Sequence, residues 1–254
     1  MEAASGLMMS NDRLAGIARR LLAARRQGAR IALTGPSLPM DYEEGFAIQD
    51  MVVGALGSPI IGWKVMVLPA GPVLFAPILQ SGSIAPRGTW TVTGGEPAGI
   101  ELEIAFRMGR DVPAGSQGEQ LLKAVESAHV VLELCQSRIA DPATAPRHVM
   151  LADCIANAGI VLGPQIADWR TRELRAIGGR LLVDNRVHAE GKSADPIAAL
   201  TQLPRALGLR GKHLAAGHIV ITGSLIGMNW LTGHHQLKGA VDGCGEVGIA
   251  LHAA

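Results

Sequence analysis

The chain has 254 residues, a formal net charge of +1 and an aromatic content of 3%. This length suits one domain with a sizeable core, and the weak charge and few rings exclude a surface built to hold phosphates and stack bases, so nucleic acid is not an expected partner. No apolar stretch approaches the roughly 20 residues of a membrane-spanning helix, and the N-terminus lacks a secretory signal pattern, so we expect a soluble cytoplasmic protein without a membrane partner.

Cysteine, glycine and proline usage narrows the fold class. Cys135, Cys154 and Cys244 are odd in number, widely spaced and free of any CxxC pair, which predicts buried free thiols. Thirty-two glycines and fourteen prolines lie along the chain without a period. This composition predicts many turns between short elements and therefore a strand-rich fold.

Two helices are predicted at the N-terminus. After a loose MEAASGLMMS, residues 11–27 place four apolar side chains on one helical face: Leu14, Ile17, Leu21 and Leu22. The arginines of this helix fit a membrane-surface helix or a solvated face, and the solvated face is favoured because nothing bulky on the apolar side would anchor in lipid. A second helix is predicted over 41–53, with Gly57, Ser58 and Pro59 beyond its end.

From Ile60 onward, short apolar runs bounded by turn residues predict strands. These runs are IIGWKVMV, GIELEIAF, HVVLEL, RLLVDN, HIVITGS and EVGIAL. Between them, EQLLKAVESA and DPIAALTQLPRAL keep helical spacing. The predicted fold class is α+β with a dominant antiparallel or mixed sheet, divided into an N-terminal helical region at residues 1–59 and a β-rich catalytic domain at 60–254.

The strand GIELEIAF carries two acids in an apolar run. Because side chains alternate along a strand, Glu101 and Glu103 share one face while Ile100, Leu102, Ile104 and Phe106 occupy the other. Adjacent carboxylates repel, and a hard divalent cation such as Mg²⁺ or Mn²⁺ would remove that repulsion. Glu133 of HVVLEL supplies a third acid in a similar position. Simple solvation of all three glutamates is the competing interpretation.

A lone cation interrupts the apolar run IIGWKVMV. If Lys64 is buried, desolvation lowers its pKa, and it becomes a candidate base or a positive anchor for an anionic substrate. A lysine that extends its ammonium group to solvent from a strand end is the alternative.

Five segments in this order resemble the 2-keto-4-pentenoate hydratase and 4-oxalocrotonate decarboxylase branch of the fumarylacetoacetate hydrolase superfamily. They are DYEEGFAIQ, IIGWKV, GIELEIAF, LELCQSRI and IVITGSLIG. The resemblance implies a β-rich roll or barrel-like fold, a homo-oligomer, a role in aromatic catabolism, and Mg²⁺ or Mn²⁺ held by Glu101, Glu103 and Glu133. It also implies that Lys64 is catalytic and that Thr222, Gly223 and Ser224 line the carboxylate end of a small 2-oxo acid substrate, with Gln49 and Ser137 at further matching positions.

This chain also departs from that family. Where hydratases of the family carry a Pro-Asp-aromatic-Gly segment, Leu74, Phe75 and Ala76 stand, so the acid thought to assist hydration is absent. The expected function is a metal-dependent, hydratase-like lyase that acts through a metal-stabilised enolate. A decarboxylase, a C–C bond hydrolase and a non-catalytic partner subunit remain open alternatives.

Two other patterns have simpler interpretations. GCGEVG, at 243–248, matches a nucleotide-binding GxGxxG, but too little chain follows it for the required helix and strand, so a turn is expected. His234 and His235 are expected at a turn or rim.

Overall fold

The computed structural model describes residues 2–35 and 38–253. Its helices are α1 (Glu2–Gln27), α2 (Tyr42–Leu56), α3 (Gly118–Leu122), α4 (Arg147–Ala152) and α5 (Pro196–Gly208). Its strands are β1 (Ile60–Met66), β2 (Leu74–Leu79), β3 (Ser83–Ile84), β4 (Thr89–Val92), β5 (Ala98–Met108), β6 (Val125–Cys135), β7 (Asn157–Gln165), β8 (Gly178–Val183), β9 (Arg186–Lys192), β10 (Ile219–Ile221), β11 (Asn229–Leu231), β12 (Gly233–Val241) and β13 (Gly245–Ala253).

Both N-terminal helices form where the sequence predicts them, although α1 begins at Glu2 rather than at residue 11. Leu14, Ile17 and Leu21 of α1 are buried in one cluster with Ile48 and Val52 of α2. Arg19, Arg20 and Arg26 of α1 are exposed, in agreement with a solvated face. No helix in the described part of the chain has the length and apolar character to cross a membrane.

Helix α2 has clear signals at both ends. The Asp41 carboxylate accepts a hydrogen bond from the Glu44 backbone N–H at 2.9 Å, which satisfies one of the free donors of the first turn. Gly57 ends the helix with φ of 64°, a conformation that glycine adopts without steric cost.

The strands form two mixed sheets, which confirms the predicted α+β class. The larger sheet has the order β2-β1-β10-β5-β6-β7-β3, with β11 paired to β5. The smaller sheet has the order β4-β13-β12-β8-β9. Most pairs are antiparallel, and β1/β10, β3/β7 and β4/β13 are parallel.

Each predicted strand run overlaps an observed strand, although IIGWKVMV, RLLVDN and HIVITGS extend past the ends of β1, β8 and β10. The prediction of a helix over EQLLKAVESA is wrong in its second half. Helix α3 ends at Leu122, and Val125 begins the long strand β6. Val125 and Ala128 are buried in the sheet, so pairing and packing outweigh the local helical spacing. The sequence patterns also do not identify β2, whose six residues are all buried.

Strand β5 is buried on both faces. Ile100, Leu102 and Ile104 lie in the main core with Ile249 and Leu251 of β13, so this face packs between the two sheets. On the opposite face, Ala105 belongs to a second buried apolar cluster. The interpretation of the acidic face as solvated is therefore wrong. The division into regions 1–59 and 60–254 stays a prediction, and its end residues 1 and 254 lie outside the described residues.

Candidate active site

The three glutamates lie together on the second face of the central strands. Glu101 of β5 stands directly opposite Glu133 of β6 in the antiparallel register, and Glu103 follows two residues along β5. Glu133 is 0% exposed and Glu103 is 1% exposed, while the Glu101 side chain keeps 13% of its surface accessible. Alternation along the strands thus places the carboxylates in a nearly dry environment, where their mutual repulsion is strong.

Lys64 reaches this cluster from β1. Its Nζ lies 2.8 Å from Glu133 Oε1 and 3.4 Å from Glu101 Oε2, and it also donates to the Ile155 carbonyl oxygen at 3.3 Å. The side chain is buried with only 6% of its surface exposed, so the alternative of a lysine extended to solvent is wrong. Lys64 is an internal cation shared by two carboxylates.

The expected lowering of the Lys64 pKa is also wrong. Burial does oppose the charge on the ammonium group, but the nearby carboxylates, Glu133 foremost, outweigh it and raise the Lys64 pKa well above its usual value. Burial together with the charges of Glu133 and Glu101 raises the pKa of Glu103 well above its usual range. At the cavity wall, Lys64 Nζ and the Glu103 carboxyl group are therefore two places where a proton can reside.

Asn157, at the start of β7, holds Glu133 from the other side. Its Nδ2 donates to Glu133 Oε1 at 2.8 Å. Arg25 of α1 and Arg138 donate to the Asn157 carbonyl oxygen at 3.0 and 3.4 Å, which ties the N-terminal helix to the support of the site. The sequence analysis did not assign Asn157 a role, because its partner stands 24 residues away on another strand.

The Ile155 carbonyl comes from a left-handed turn. Cys154, Ile155 and Ala156 have φ values of 54°, 50° and 61°, which is unusual for three consecutive residues other than glycine. Such conformations persist where surrounding contacts hold them, and they concentrate at functional sites. Here the turn directs a backbone oxygen to Lys64.

A cavity of about 420 Å³ opens beside the cluster. Its polar wall comprises Lys64, Glu101, Glu103, Asp195, Gln202, Thr222, Gly223 and Ser224. Its apolar wall includes residues 65–67, at the end of β1 and just beyond it, and alanines around the start of α5. The Gly223 backbone N–H donates to Glu103 Oε2 at 2.7 Å, and the Thr222 hydroxyl donates to the Ile104 carbonyl oxygen at 3.0 Å. The predicted turn at 222–224 thus lies at the same cavity as the predicted lysine.

Gln49 and Ser137 do not line this cavity. The Gln49 amide group donates to the backbone oxygens of Phe75 and Leu151 at 3.3 and 2.9 Å. The Ser137 hydroxyl contacts the backbone of Ile139. Both side chains are buried and bond to backbone groups, and their assignment as substrate-binding residues rests on the family resemblance alone.

The remaining sequence signals lie elsewhere. His234 packs against His252, and His235 bonds to Asp184 at 2.7 Å, both at the smaller sheet. The residues of GCGEVG form the turn between β12 and β13 and the first part of β13, as expected. All three cysteines are free and buried, which confirms that prediction.

The cluster fits a divalent cation. Three ionised glutamates and one lysine would leave two net negative charges in a buried site, which a single divalent ion would neutralise. Glu133 Oε2 is buried and has no hydrogen-bond partner among the described residues, so it is free to accept a ligand bond. The donor atoms of Glu101, Glu133 and Cys135 lie within 4.8 Å of one another. Cys135 is a donor that the sequence analysis did not consider, and the ligand roles of Glu101, Glu103 and Glu133 stay predictions.

Comparison with known proteins places this geometry in context. No family profile matches the chain. Two relatives, 2-keto-4-pentenoate hydratase from Paraburkholderia xenovorans and 2-keto-4-pentenoate hydratase 3 from Pseudomonas putida, are each 26% identical over 229 residues, which is 82% of this chain and 83% of the relative.

Solved structures have the same fold. The 4-oxalocrotonate decarboxylase from Pseudomonas putida, complexed with magnesium and adipate, gives a TM-score of 0.84 at 17% identity over 95% of this chain and 98% of that chain. The 5-carboxymethyl-2-hydroxymuconate delta-isomerase from Mycobacterium smegmatis gives a TM-score of 0.56 at 16% identity over 78% of this chain and 79% of that chain. The similarity to two hydratases and the fold shared with the decarboxylase support the predicted resemblance to the hydratase and decarboxylase branch of the fumarylacetoacetate hydrolase superfamily.

Proposed function

We propose that this protein is a divalent-metal-dependent lyase that acts on a short 2-oxo acid or its dienol with hydratase-type chemistry. The observation that carries the proposal is the shared cavity wall, where Lys64, Glu101 and Glu103 meet the turn at 222–224. A volume of about 420 Å³ lies in the range of small-molecule sites, at roughly 300–1,000 Å³. The similarity to two hydratases supports the reaction class.

Glu101, Glu103 and Glu133 would hold Mg²⁺ or Mn²⁺, and such an ion supplies charge stabilisation to an enolate. The residues of the chain have distinct tasks around it. Lys64 carries a proton at Nζ and presents positive charge at the wall of the cavity. The turn at Thr222, Gly223 and Ser224 would orient the carboxylate end of the substrate. The apolar wall at 65–67 would exclude water from the rest of the substrate.

The direct test is turnover of 2-hydroxypenta-2,4-dienoate with Mg²⁺, followed by the loss of dienol absorbance. We expect turnover by the wild type and a loss of at least about 10²-fold in Glu133→Gln, since this carboxylate contacts the lysine and the proposed ion. Glu126→Gln is the matched control, because Glu126 is an exposed glutamate on the same strand β6. If the wild type does not turn over the dienoate, the hydratase assignment is wrong.

Decarboxylation is a second candidate, favoured by the structure of β2. Hydration needs a group that assists addition of water, but residues 74–76 provide a buried apolar strand, and Ala76 is the direct partner of Lys64. The 4-oxalocrotonate decarboxylase shares the fold over nearly the whole chain. Release of CO₂ from 4-oxalocrotonate, without turnover of the dienoate, would select this reaction. C–C bond hydrolysis uses the same proposed enolate and belongs to the same set of assays.

A non-catalytic partner subunit is the outcome that would remove the enzymatic proposal. It would be indicated if the wild-type protein turned over neither 2-hydroxypenta-2,4-dienoate nor 4-oxalocrotonate and bound no divalent ion. A cytoplasmic location, self-association into a homo-oligomer and a role in aromatic catabolism are further parts of the proposal. They are checked by fractionation, by light scattering and by growth of a deletion strain on aromatic carbon sources.

A further inference from the structure

Cys135 occupies the acidic face of the central strands. It follows Glu133 by two residues in β6, so alternation places both side chains on the same side of the sheet. Its direct partner on β5 is Gly99, where an added Cβ would lie only 2.9 Å from the Cys135 Cβ. The absence of a side chain at 99 therefore leaves room for the thiol beside the carboxylates.

The distances within this group suit a shared ion. The donor atoms of Glu101, Glu133 and Cys135 all lie within 4.8 Å of one another, and Cys135 Sγ lies 3.8 Å from Glu101 Oε2. Bond lengths of about 2.3 Å for sulfur and 2.1 Å for oxygen around tetrahedral zinc separate two ligand atoms by about 3.6 Å. The observed sulfur-to-oxygen separation is close to that value without any movement of the strands.

Glu133 provides a second and independent indication of a ligand. The side chain is 0% exposed, and its Oε2 has no hydrogen-bond partner among the described residues. A buried carboxylate oxygen without a partner destabilises the folded state, because it has lost its hydrogen bonds to water and has formed no hydrogen bond within the protein. An ion between Glu133, Glu101 and Cys135 would satisfy that oxygen.

We propose that Cys135 joins Glu101 and Glu133 as a ligand, which forms a mixed oxygen and sulfur site for a borderline-soft divalent cation of the Zn²⁺ or Co²⁺ class. Thiolate ligands favour such ions over Mg²⁺, which prefers oxygen. On binding, the S–H bond breaks, the sulfur–metal bond forms and the proton leaves to solvent. This inference rests on the proposed metal-dependent function and refines the class of metal.

Cobalt provides a test with a readout other than activity. Titration of the metal-free protein with Co²⁺ should produce a thiolate-to-cobalt charge-transfer band in the near ultraviolet at one ion per chain. The band should vanish in Cys135→Ala and in the near-isosteric Cys135→Ser, and circular dichroism reports whether each variant is folded. Cys244→Ser is the matched control, because Cys244 is a buried free thiol at the turn between β12 and β13.

Binding constants from equilibrium dialysis complete the test. We expect Cys135→Ala to weaken Co²⁺ binding by at least about tenfold, the smallest loss typical when a group that supports a metal site is removed, while Mg²⁺ binding is unchanged. Co²⁺ binding by the wild type without the thiolate band would overturn the ligand role of Cys135 and leave the metal-dependent function standing. No binding of any divalent ion would overturn both.

Discussion

Replacement of Lys64 by methionine isolates the contribution of the internal cation. Methionine is also unbranched and of comparable length, but it carries no charge. In the metal-free wild type, Lys64 Nζ lies 2.8 Å from Glu133 Oε1 and 3.4 Å from Glu101 Oε2. In the variant, the fully buried Glu133 keeps the hydrogen bond from Asn157 but loses its positive partner. We therefore expect a large loss of stability in the presence of a chelator.

The magnitude follows from the burial of both partners. Removal of one member of a buried ion pair costs about 3–5 kcal/mol, because the other charge stays in a medium that solvates it poorly. For a chain of this size, about 2–4 °C of melting temperature corresponds to each kcal/mol, so Tm should fall by about 6–20 °C. Mg²⁺ should restore part of the loss, since a ligand at 100 times its Kd stabilises the folded state by about 2.7 kcal/mol.

Thermal unfolding followed by circular dichroism, at fixed protein concentration with chelator and then with Mg²⁺, measures both effects. Lys238→Met is the matched control, because Lys238 pairs with Glu246 at 3.3 Å and both side chains are substantially exposed. This surface pair should contribute less than about 1 kcal/mol and show no dependence on Mg²⁺. A Lys64→Met protein that melts like the Lys238→Met protein in chelator would refute the reasoning.

Three further predictions concern neighbouring groups. Asn157→Ala removes a donor to the buried carboxylate and should weaken divalent-ion affinity by about 10–100-fold in a titration calorimeter, whereas unchanged affinity would contradict the support role. Burial raises the pKa of Glu103 in the folded protein, so the unfolded chain loses this proton at a lower pH than the folded chain does. In the presence of a chelator, the free energy of unfolding of the wild type should therefore fall as pH rises above about 4.3. Urea unfolding of Glu103→Gln should show a smaller fall. Gly99→Ala should destabilise by about 1–3 kcal/mol through contact with Cys135, whereas Gly54→Ala, in a helix with open space around it, should not; equal midpoints would count against the tight packing.

The two-residue period of a strand made much of the site predictable. Alternation in GIELEIAF assigns Ile100 and Leu102 to the core and Glu101 and Glu103 to one face, and the structure has this arrangement. The period is a property of the backbone, so it holds wherever the strand finds its partners. The burial of the acidic face was not predictable in this way, because it depends on neighbouring strands from distant parts of the chain.

Charge environments were harder to predict than strand faces. The local run around Lys64 indicates desolvation and a lowered pKa, but the opposite shift results from carboxylates 37 and 69 residues away. The helix predicted across Val125 failed for a related reason, since pairing with β5 and β7 is absent from any local pattern. The sequence identifies the ionisable side chains, but their pKa shifts depend on which of them the fold brings into contact.

The left-handed turn at 154–156 has a consequence for sequence divergence. The Ile155 carbonyl reaches Lys64 while three consecutive residues keep positive φ, and this conformation costs roughly 1–2 kcal/mol for each residue that has a Cβ. Glycine would adopt the same angles without that cost. Relatives could therefore carry other side chains at all three positions and still keep the backbone oxygen of residue 155 in place. The site requires a positive φ at these positions, and this requirement would not appear as a conserved residue type.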